Sequence, residues 1–178
     1  MKTIQQKITI RIKTIINIQY LIEGIEMTDL VIYYSRSGNT KKIARTIKNE
    51  VNADIIEIKD KTSRTGVFGF LKGVTDSIRN QDTKIEPAFI DVSKYDNIYV
   101  GTPVWASKPT PAIIQFLHNT DFTGKKVITF DTMMASGGEA TINFMNEIIE
   151  SHGGNVIKSF SIMNNQDLKE STIKALNE

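Results

Sequence analysis

The chain has 178 residues, of which 40% are hydrophobic and 24% charged, a composition that fits one folded domain and excludes intrinsic disorder. The net charge of +2 is too small to indicate a nucleic-acid-binding protein, so we expect no nucleic-acid partner. The chain has no cysteine, which excludes disulfides, thiolate nucleophiles and iron–sulfur ligation, and its two histidines leave little for a metal site, so we expect no metal.

Residues 1–26 differ from the rest of the chain. They contain nine isoleucines, but charged and amide side chains interrupt every apolar run, so neither a secretory signal nor a membrane span of roughly 20 apolar residues is predicted. Met27 is followed at once by Thr-Asp and an apolar strand. We expect residues 1–26 to be an extension outside the fold, with Met27 as the natural start, and residues 27–178 to form the domain. The alternatives for the extension are an added edge strand and an interfacial segment.

Strand and helix patterns alternate from residue 29 onward. Apolar runs predict five strands, at residues 30–34, 54–58, 97–101, 126–131 and 156–162. Helical spacing, proline at a helix start and glycine at a helix end predict helices at residues 40–51, 68–79, 109–117, 139–151 and 167–175.

This alternation predicts an α/β fold, a doubly wound five-stranded parallel sheet within three α/β/α layers, because parallel neighbours need helical crossovers. The second and fifth strands are the least apolar, which favours the edges for them and the order 2-1-3-4-5. Ligands of such sheets bind at the carboxyl ends of the strands, where the strand order reverses. That rule selects three loops, at residues 35–40, 102–108 and 132–138.

The first loop predicts a phosphate site. Hydroxyl side chains surround a glycine there, and backbone N–H groups at the start of the following helix favour an anion. The predicted phosphate-binding residues are Ser35, Arg36, Ser37, Gly38, Asn39 and Thr40. The alternative is that Ser37 or Asn39 only caps the helix. The triphosphate and dinucleotide glycine motifs are both absent from the sequence.

Two motifs resemble those of a known family. Ser35-x-Ser37-Gly38-x-Thr40 after an apolar strand resembles the FMN-phosphate loop of flavodoxins, whose pattern is Ser/Thr-x-Ser/Thr-Gly-x-Thr. The stretch Tyr95-Asp96-x-Ile98-x-x-Gly101-Thr-Pro103-x-Trp105 is similar to the second flavin loop of short flavodoxin-like proteins. The resemblance covers residues 29 to about 165 and implies a flavodoxin-like fold with FMN as cofactor.

The other two loops would then hold the flavin ring. In the second loop the predicted contacts are Thr102, Pro103, Val104, Trp105, Ala106 and Ser107, with the indole stacked on the ring. In the third loop they are Asp131, Thr132, Met133, Ser136, Gly137 and Gly138. The alternatives are that Trp105 packs against a helix and that Met133 and Met134 fill core gaps. Residues 104–107 lack the glycine that many flavodoxins place beside the flavin, so a backbone flip there would cost about 1 kcal/mol more.

Three functions remain open at this point. The resemblance favours a low-potential, FMN-dependent electron carrier that exchanges single electrons with partner proteins, a reductase and an acceptor. An NAD(P)H-dependent FMN oxidoreductase that passes two electrons to a quinone is the alternative, since residues 27–178 carry 18 basic and 18 acidic groups and lack the acidity of typical carriers. A non-redox phosphate-binding regulatory domain is a third possibility. We expect a cytoplasmic protein, a monomer or weak dimer, with no membrane partner and no catalytic residue of its own.

Overall fold

The computed structural model describes residues 29–61 and 84–178. The extension at residues 1–26 and the helix predicted at 68–79 lie outside the described residues. Seven strands are described: β1 (Asp29–Tyr33), β2 (Asp54–Glu57), β3 (Lys59–Asp60), β4 (Ile85–Glu86), β5 (Asn97–Pro103), β6 (Lys126–Met133) and β7 (Asn155–Met163). Four helices are described: α1 (Asn39–Val51), α2 (Pro111–His118), α3 (Gly138–Ser151) and α4 (Leu168–Asn177).

Five strands form one parallel sheet in the order β2-β1-β5-β6-β7. Counted along the chain, this is the predicted order 2-1-3-4-5, and the predicted flavodoxin-like α/β fold is confirmed. The order reverses between β1 and β5, whose register pairs Tyr33 with Gly101. The loops that follow β1 and β5 therefore leave the same edge of the sheet on either side of a crevice.

The chain forms helical crossovers because its central strands must be buried on both faces. In β1, Leu30 and Ile32 belong to one core cluster, whereas Val31 and Tyr33 belong to the other. Successive side chains of a strand point to opposite faces, so a continuous apolar run requires a cover on each side. Helices α2 and α3 contribute to the first cluster, and Ile43 and Ile47 of α1 contribute to the second.

The edge strand β7 shows the opposite pattern. Its residues alternate between exposed and half-buried over most of its length, and Ile157 stays 52% exposed. Only one neighbour pairs with β7, so half of its backbone groups face away from the sheet. The prediction of an edge position for this strand is confirmed.

The start of α2 differs from the prediction. The helix begins at Pro111, not at Pro109, and Thr110 before it is extended, with ψ at 149°. A residue that precedes proline is pushed out of the helical region, while proline itself fits the first helical position. The second proline of the pair therefore sets the helix start, and the prediction of residue 109 was wrong.

Strands β3 and β4 form a separate two-stranded antiparallel sheet in which Lys59 pairs with Glu86. Each has only two residues, too few to show an alternating pattern in the sequence, and neither was predicted. Across residues 29–61 and 84–178, no helix combines the length and the apolar character needed to cross a membrane.

Candidate cofactor site

The phosphate loop turns into α1 at a glycine. Gly38 precedes the helix with a φ of 92°, in the left-handed region that favours glycine, and its amide donates to Ser35 Oγ at 3.1 Å. The Gly38 carbonyl accepts from the amide of Lys42 at 3.1 Å. No side chain caps this helix, so the alternative that Ser37 or Asn39 serves as a cap was wrong.

The uncapped end of α1 has the features of an anion site. The amides of Asn39, Thr40 and Lys41 lie in the first turn, where no intrahelical acceptor exists for them. No acidic residue lies in that turn, and a Cβ placed on Gly38 would meet nothing within 4 Å. The loop thus directs donors and the positive end of the helix dipole into open space, which fits a phosphate group.

A buried hydroxyl pair joins the first loop to the third. Thr40 Oγ1 lies 2.8 Å from Thr132 Oγ1, and the two residues are 1% and 2% exposed. Thr132 lies near the end of β6, which runs to Met133. The pair fixes the first turn of α1 against the sheet and so holds the phosphate loop in place.

The second loop forms a tight hairpin turn. The amides of Trp105 and Lys108 each donate to the other residue's carbonyl, at 2.9 and 3.1 Å. The two residues between them, Ala106 and Ser107, have φ values of 49° and 60°. Two successive left-handed residues characterise a type I′ turn, which usually contains glycine or asparagine. Each such residue without glycine carries a strain of about 1–2 kcal/mol.

The indole of Trp105 connects the second loop with the first. Its ring lies edge-on to Tyr34, with centroids 5.9 Å apart, and the guanidinium carbon of Arg36 lies 6.0 Å from its centroid. Trp105 is only 8% exposed. Tyr34 and Arg36 thus hold the indole at the crevice, and the guanidinium of Arg36 lies over the indole ring.

The third loop meets the second at a glycine. Gly137 has a φ of 93°, and a Cβ placed on it would lie 2.7 Å from Ser107 Oγ and 3.1 Å from Ser107 Cα. A Cβ placed on the next residue, Gly138, would lie 2.5 Å from Ser161 Oγ of strand β7. Gly137 therefore allows the second and third loops to touch, and Gly138 allows the third loop to approach β7. Met134 is 85% exposed, so the alternative that both methionines fill core gaps was wrong for this residue.

Some predicted site residues lie inside the sheet rather than at its surface. Strands β5 and β6 extend to Pro103 and Met133, so the loops begin later than predicted. Thr102 is fully buried, and its Oγ1 accepts from the amide of Thr110 at 3.0 Å. Val104 donates its amide to the carbonyl of Thr132 at 2.9 Å. Thr102 and Val104 thus stabilise the loops through hydrogen bonds.

Asp131 is a buried acid beneath the third loop. It is 0% exposed, its Oδ2 accepts from Ser161 Oγ at 3.0 Å, and its Oδ1 has no hydrogen-bond partner in the described part of the chain. Burial raises the pKa of Asp131 to about 6, and the hydrogen bond from Ser161 opposes that rise. Asp131 therefore takes up or releases a proton near neutral pH.

The three loops meet pairwise at one edge of the sheet. Arg36 contacts Trp105, Thr40 contacts Thr132, and Ser107 contacts Gly137. Five residues of the predicted set are exposed in these loops: Arg36, Ser37, Ala106, Ser107 and Ser136. Tyr34, which packs on Trp105, was missed as a site residue because it reads as the last residue of an apolar strand. Within residues 29–61 and 84–178, no cluster of His, Asp and Glu could hold a metal ion.

Comparisons with known proteins agree with this arrangement. Residues 28–178 match the family model described as Flavodoxin. An uncharacterised protein of Methanocaldococcus jannaschii is 31% identical over 107 residues, which cover 60% of this chain and 54% of that protein. The match thus spans about half the length of that curated relative.

Two solved structures share the fold. A Bacteroides uniformis protein has a TM-score of 0.74 at 21% identity, over 85% of this chain and 99% of its own. A Lactobacillus acidophilus flavoprotein in complex with FMN has a TM-score of 0.67 at 24% identity, over 86% of this chain and 100% of its own. The similarity to both structures extends over nearly their whole length.

Proposed function

The chain belongs to the flavodoxin family, and we propose that it binds FMN and serves as a low-potential electron carrier. The observation that carries this proposal is the uncapped start of α1, preceded by Ser35 and Gly38 and placed where the strand order reverses. The fold shared with a flavoprotein that was solved with FMN supports the same ligand.

The described residues fit the two ends of FMN. Donors from the hydroxyls of Ser35 and Ser37 and from the first-turn amides of α1 would hold the phosphate, and Arg36 would add a positive charge. The indole of Trp105, with the guanidinium carbon of Arg36 6.0 Å from its centroid, offers an apolar platform for the flat ring. The exposed Met134 lies in the loop on the other side of the crevice. When bound, FMN supplies a ring that accepts and releases electrons.

The chain's own residues set the surroundings of that ring. The hairpin holds both Ala106 and Ser107 in the left-handed conformation, which fixes the backbone beside the site of the ring. The Gly137 contact with Ser107 keeps this hairpin against the third loop. Asp131 below the loop holds or releases a proton close to the site, which would couple the charge of the bound cofactor to pH.

We also propose a setting for this function. The carrier would act in the cytoplasm as a monomer or weak dimer and exchange electrons with a reductase and an acceptor protein. Residues 27–178 carry equal numbers of basic and acidic groups, so docking to either partner would rely little on net charge. Cell fractionation and sedimentation of the purified protein test the location and the oligomeric state.

An anaerobic reductive titration tests the carrier role. FMN-reconstituted protein is titrated with dithionite while its visible spectrum is followed, and in parallel with NADH or NADPH alone. A carrier takes up electrons one at a time from dithionite and is not reduced by the nicotinamides without a reductase. Rapid reduction by NADH or NADPH alone, directly to the two-electron state, would contradict the carrier role and support the oxidoreductase. A protein that stays colourless after FMN addition would contradict both.

A further inference from the structure

A groove of about 460 Å³ lies between α1 and the start of α4, beside the phosphate loop. Its lining includes Asn39, Lys42 and Arg45 from α1, and Asn164, Gln166 and Lys169 from the β7–α4 connection and the first turn of α4. The volume falls within the range of small-molecule sites. Only Asn39 is shared with the flavin loops, so the groove is a separate feature of the surface.

Three cations, Lys42, Arg45 and Lys169, define the charge of the groove. Within the part of the chain that the structure describes, the side chains of Lys42, Arg45 and Lys169 make no ion pair and no hydrogen bond. By contrast, the neighbouring Lys41 is paired with Glu57 at 2.7 Å. Residues three and four positions apart share one face of a helix, so Lys42 and Arg45 project on the same side of α1.

Asp167, the acid among the described residues that line the groove, already accepts hydrogen bonds at the start of α4. Asp167 caps α4, and its Oδ1 accepts from the amides of Lys169 and Glu170 at 2.9 and 3.0 Å. Its carboxylate is therefore held at the helix start and is not paired with the cations across the groove. The unpaired cations outnumber it, which leaves the groove positive and suited to an anion.

A hydrogen-bond acceptor without a partner indicates which kind of anion fits the groove. Asn164 lines the groove, and its Oδ1 is buried without a hydrogen-bond partner among the described residues. A surface that carries only carboxylates would supply no donor for this atom. A ligand with hydroxyl groups beside its phosphate would supply one, once the amide turns toward the groove.

We propose that the groove between α1 and α4 binds a phosphorylated sugar, such as the ribose phosphate of a nucleotide. Lys42, Arg45 and Lys169 hold the phosphate, and Asn164 accepts from a ribose hydroxyl. The ligand is a free nucleotide or the nucleotide half of a nicotinamide dinucleotide, since both carry the same group. The site does not depend on FMN binding, because the flavin loops contribute only Asn39 to it.

The test is calorimetric titration of FMN-saturated protein, and of the same protein without FMN, with ribose 5-phosphate, ADP, NADH and inorganic phosphate. We expect ADP and ribose 5-phosphate to bind. Lys42→Gln/Arg45→Gln should weaken that binding about 10-fold or more, the effect of losing about 1.4 kcal/mol of charge-assisted contact. The matched control, Lys48→Gln/Lys126→Gln, removes the same charge from outside the groove and should change affinity less than about twofold.

A second variant tests the role of Asn164. Asn164→Ala should weaken ribose 5-phosphate while leaving inorganic phosphate unchanged, which general misfolding would not do; thermal melting verifies the fold. Tighter binding of NADH than of ADP would identify the dinucleotide as the ligand that supplies the ribose phosphate. Equal binding of the two would identify the free nucleotide.

Three results would overturn the proposal: no binding of any of these ligands, binding of inorganic phosphate alone, or equal weakening in both double variants. Failure of FMN to bind is seen separately, as a missing flavin spectrum, and leaves the titrations without FMN interpretable.

Discussion

The hydroxyl of Thr40 lies 2.8 Å from the hydroxyl of Thr132, although 92 residues separate them in the chain. Both residues are buried, so each hydroxyl depends on the other for a partner. The pair connects the first turn of α1 to the end of β6 and thereby joins two loops of the candidate site. The position of the first loop thus depends on a hydrogen bond between two distant segments of the chain.

Thr40→Val should destabilise the protein by about 1–3 kcal/mol, because it leaves the Thr132 hydroxyl buried without a partner. The shape of the side chain is nearly retained, so loss of packing contributes little. The double variant Thr40→Val/Thr132→Val should lose less than the sum of the two single variants, since it removes both polar groups. Urea unfolding of the four proteins measures this difference, and strict additivity would contradict the coupling.

Gly38→Ala should destabilise the protein by about 1 kcal/mol and also weaken FMN binding. The loss of stability would come from the φ of 92°, which alanine adopts at a cost. A steric clash would not contribute, because a Cβ at this position would have free space around it. Gly124 offers a matched control, because it has a φ of 76° and equally free space around a Cβ. It precedes β6, at the end of that strand away from the candidate site. Gly124→Ala should cost similar stability in a thermal melt but leave FMN affinity unchanged. Equal loss of affinity in both variants would exclude a local role of Gly38.

Replacing Ala106-Ser107 by Asn-Gly should stabilise the protein by about 1–2 kcal/mol. Both positions are left-handed, and Asn-Gly is the sequence that a type I′ turn prefers. Ser136 in the third loop has no positive φ, so Ser136→Gly serves as the control and should not stabilise. Chemical unfolding of both variants decides. A loss of stability in the Asn-Gly variant would show that the turn is not strained.

Asp131→Asn should stabilise the protein at pH 8 by about 3 kcal/mol and have little effect below pH 4. The pKa of Asp131 is about 6 in the folded protein and lower in the unfolded chain, so the wild type loses stability as the pH rises through that range. The variant lacks this loss. Urea unfolding between pH 4 and 8 measures the difference, and a constant difference across the range would contradict it.

Asp121→Asn should change stability with pH in the opposite direction, because the pKa of Asp121 is lowered in the folded protein. Hydrogen bonds from Thr123 lower the pKa of Asp121, so its carboxylate stabilises the folded protein at neutral pH and this contribution is lost as the pH falls. The variant should therefore be less stable than the wild type at pH 7 and equal to it in strong acid. A shift in the same direction for both variants would indicate a general charge effect.

The fold could be predicted because its signals are local. The run at Leu30–Tyr34 and the spacing of Ile43 and Ile47 show directly which faces must be covered, and the core contains these residues as expected. The turn before α1 was equally visible, since its hydroxyls and glycine lie within six residues. Strand order followed from the relative polarity of the edge strands.

The finer features of the site depend on tertiary contacts. Nothing in the sequence around Ala106 and Ser107 favours a left-handed turn, and the surrounding loops impose it. The contacts of Thr40 with Thr132 and of Tyr34 with Trp105 join residues far apart in the chain, so local patterns carry no trace of them. Burial of Asp131, which raises its pKa, likewise arises only when the sheet is assembled.

A fluorescence titration tests whether the three loops bind FMN through its phosphate. Trp105 is the single tryptophan of the chain and lies at the crevice, so its emission reports on a flavin bound there. We expect quenching that saturates at one FMN per chain, and binding of riboflavin weaker by about 10-fold or more, because riboflavin lacks the phosphate. Equal affinity for FMN and riboflavin, or no quenching by either, would contradict it.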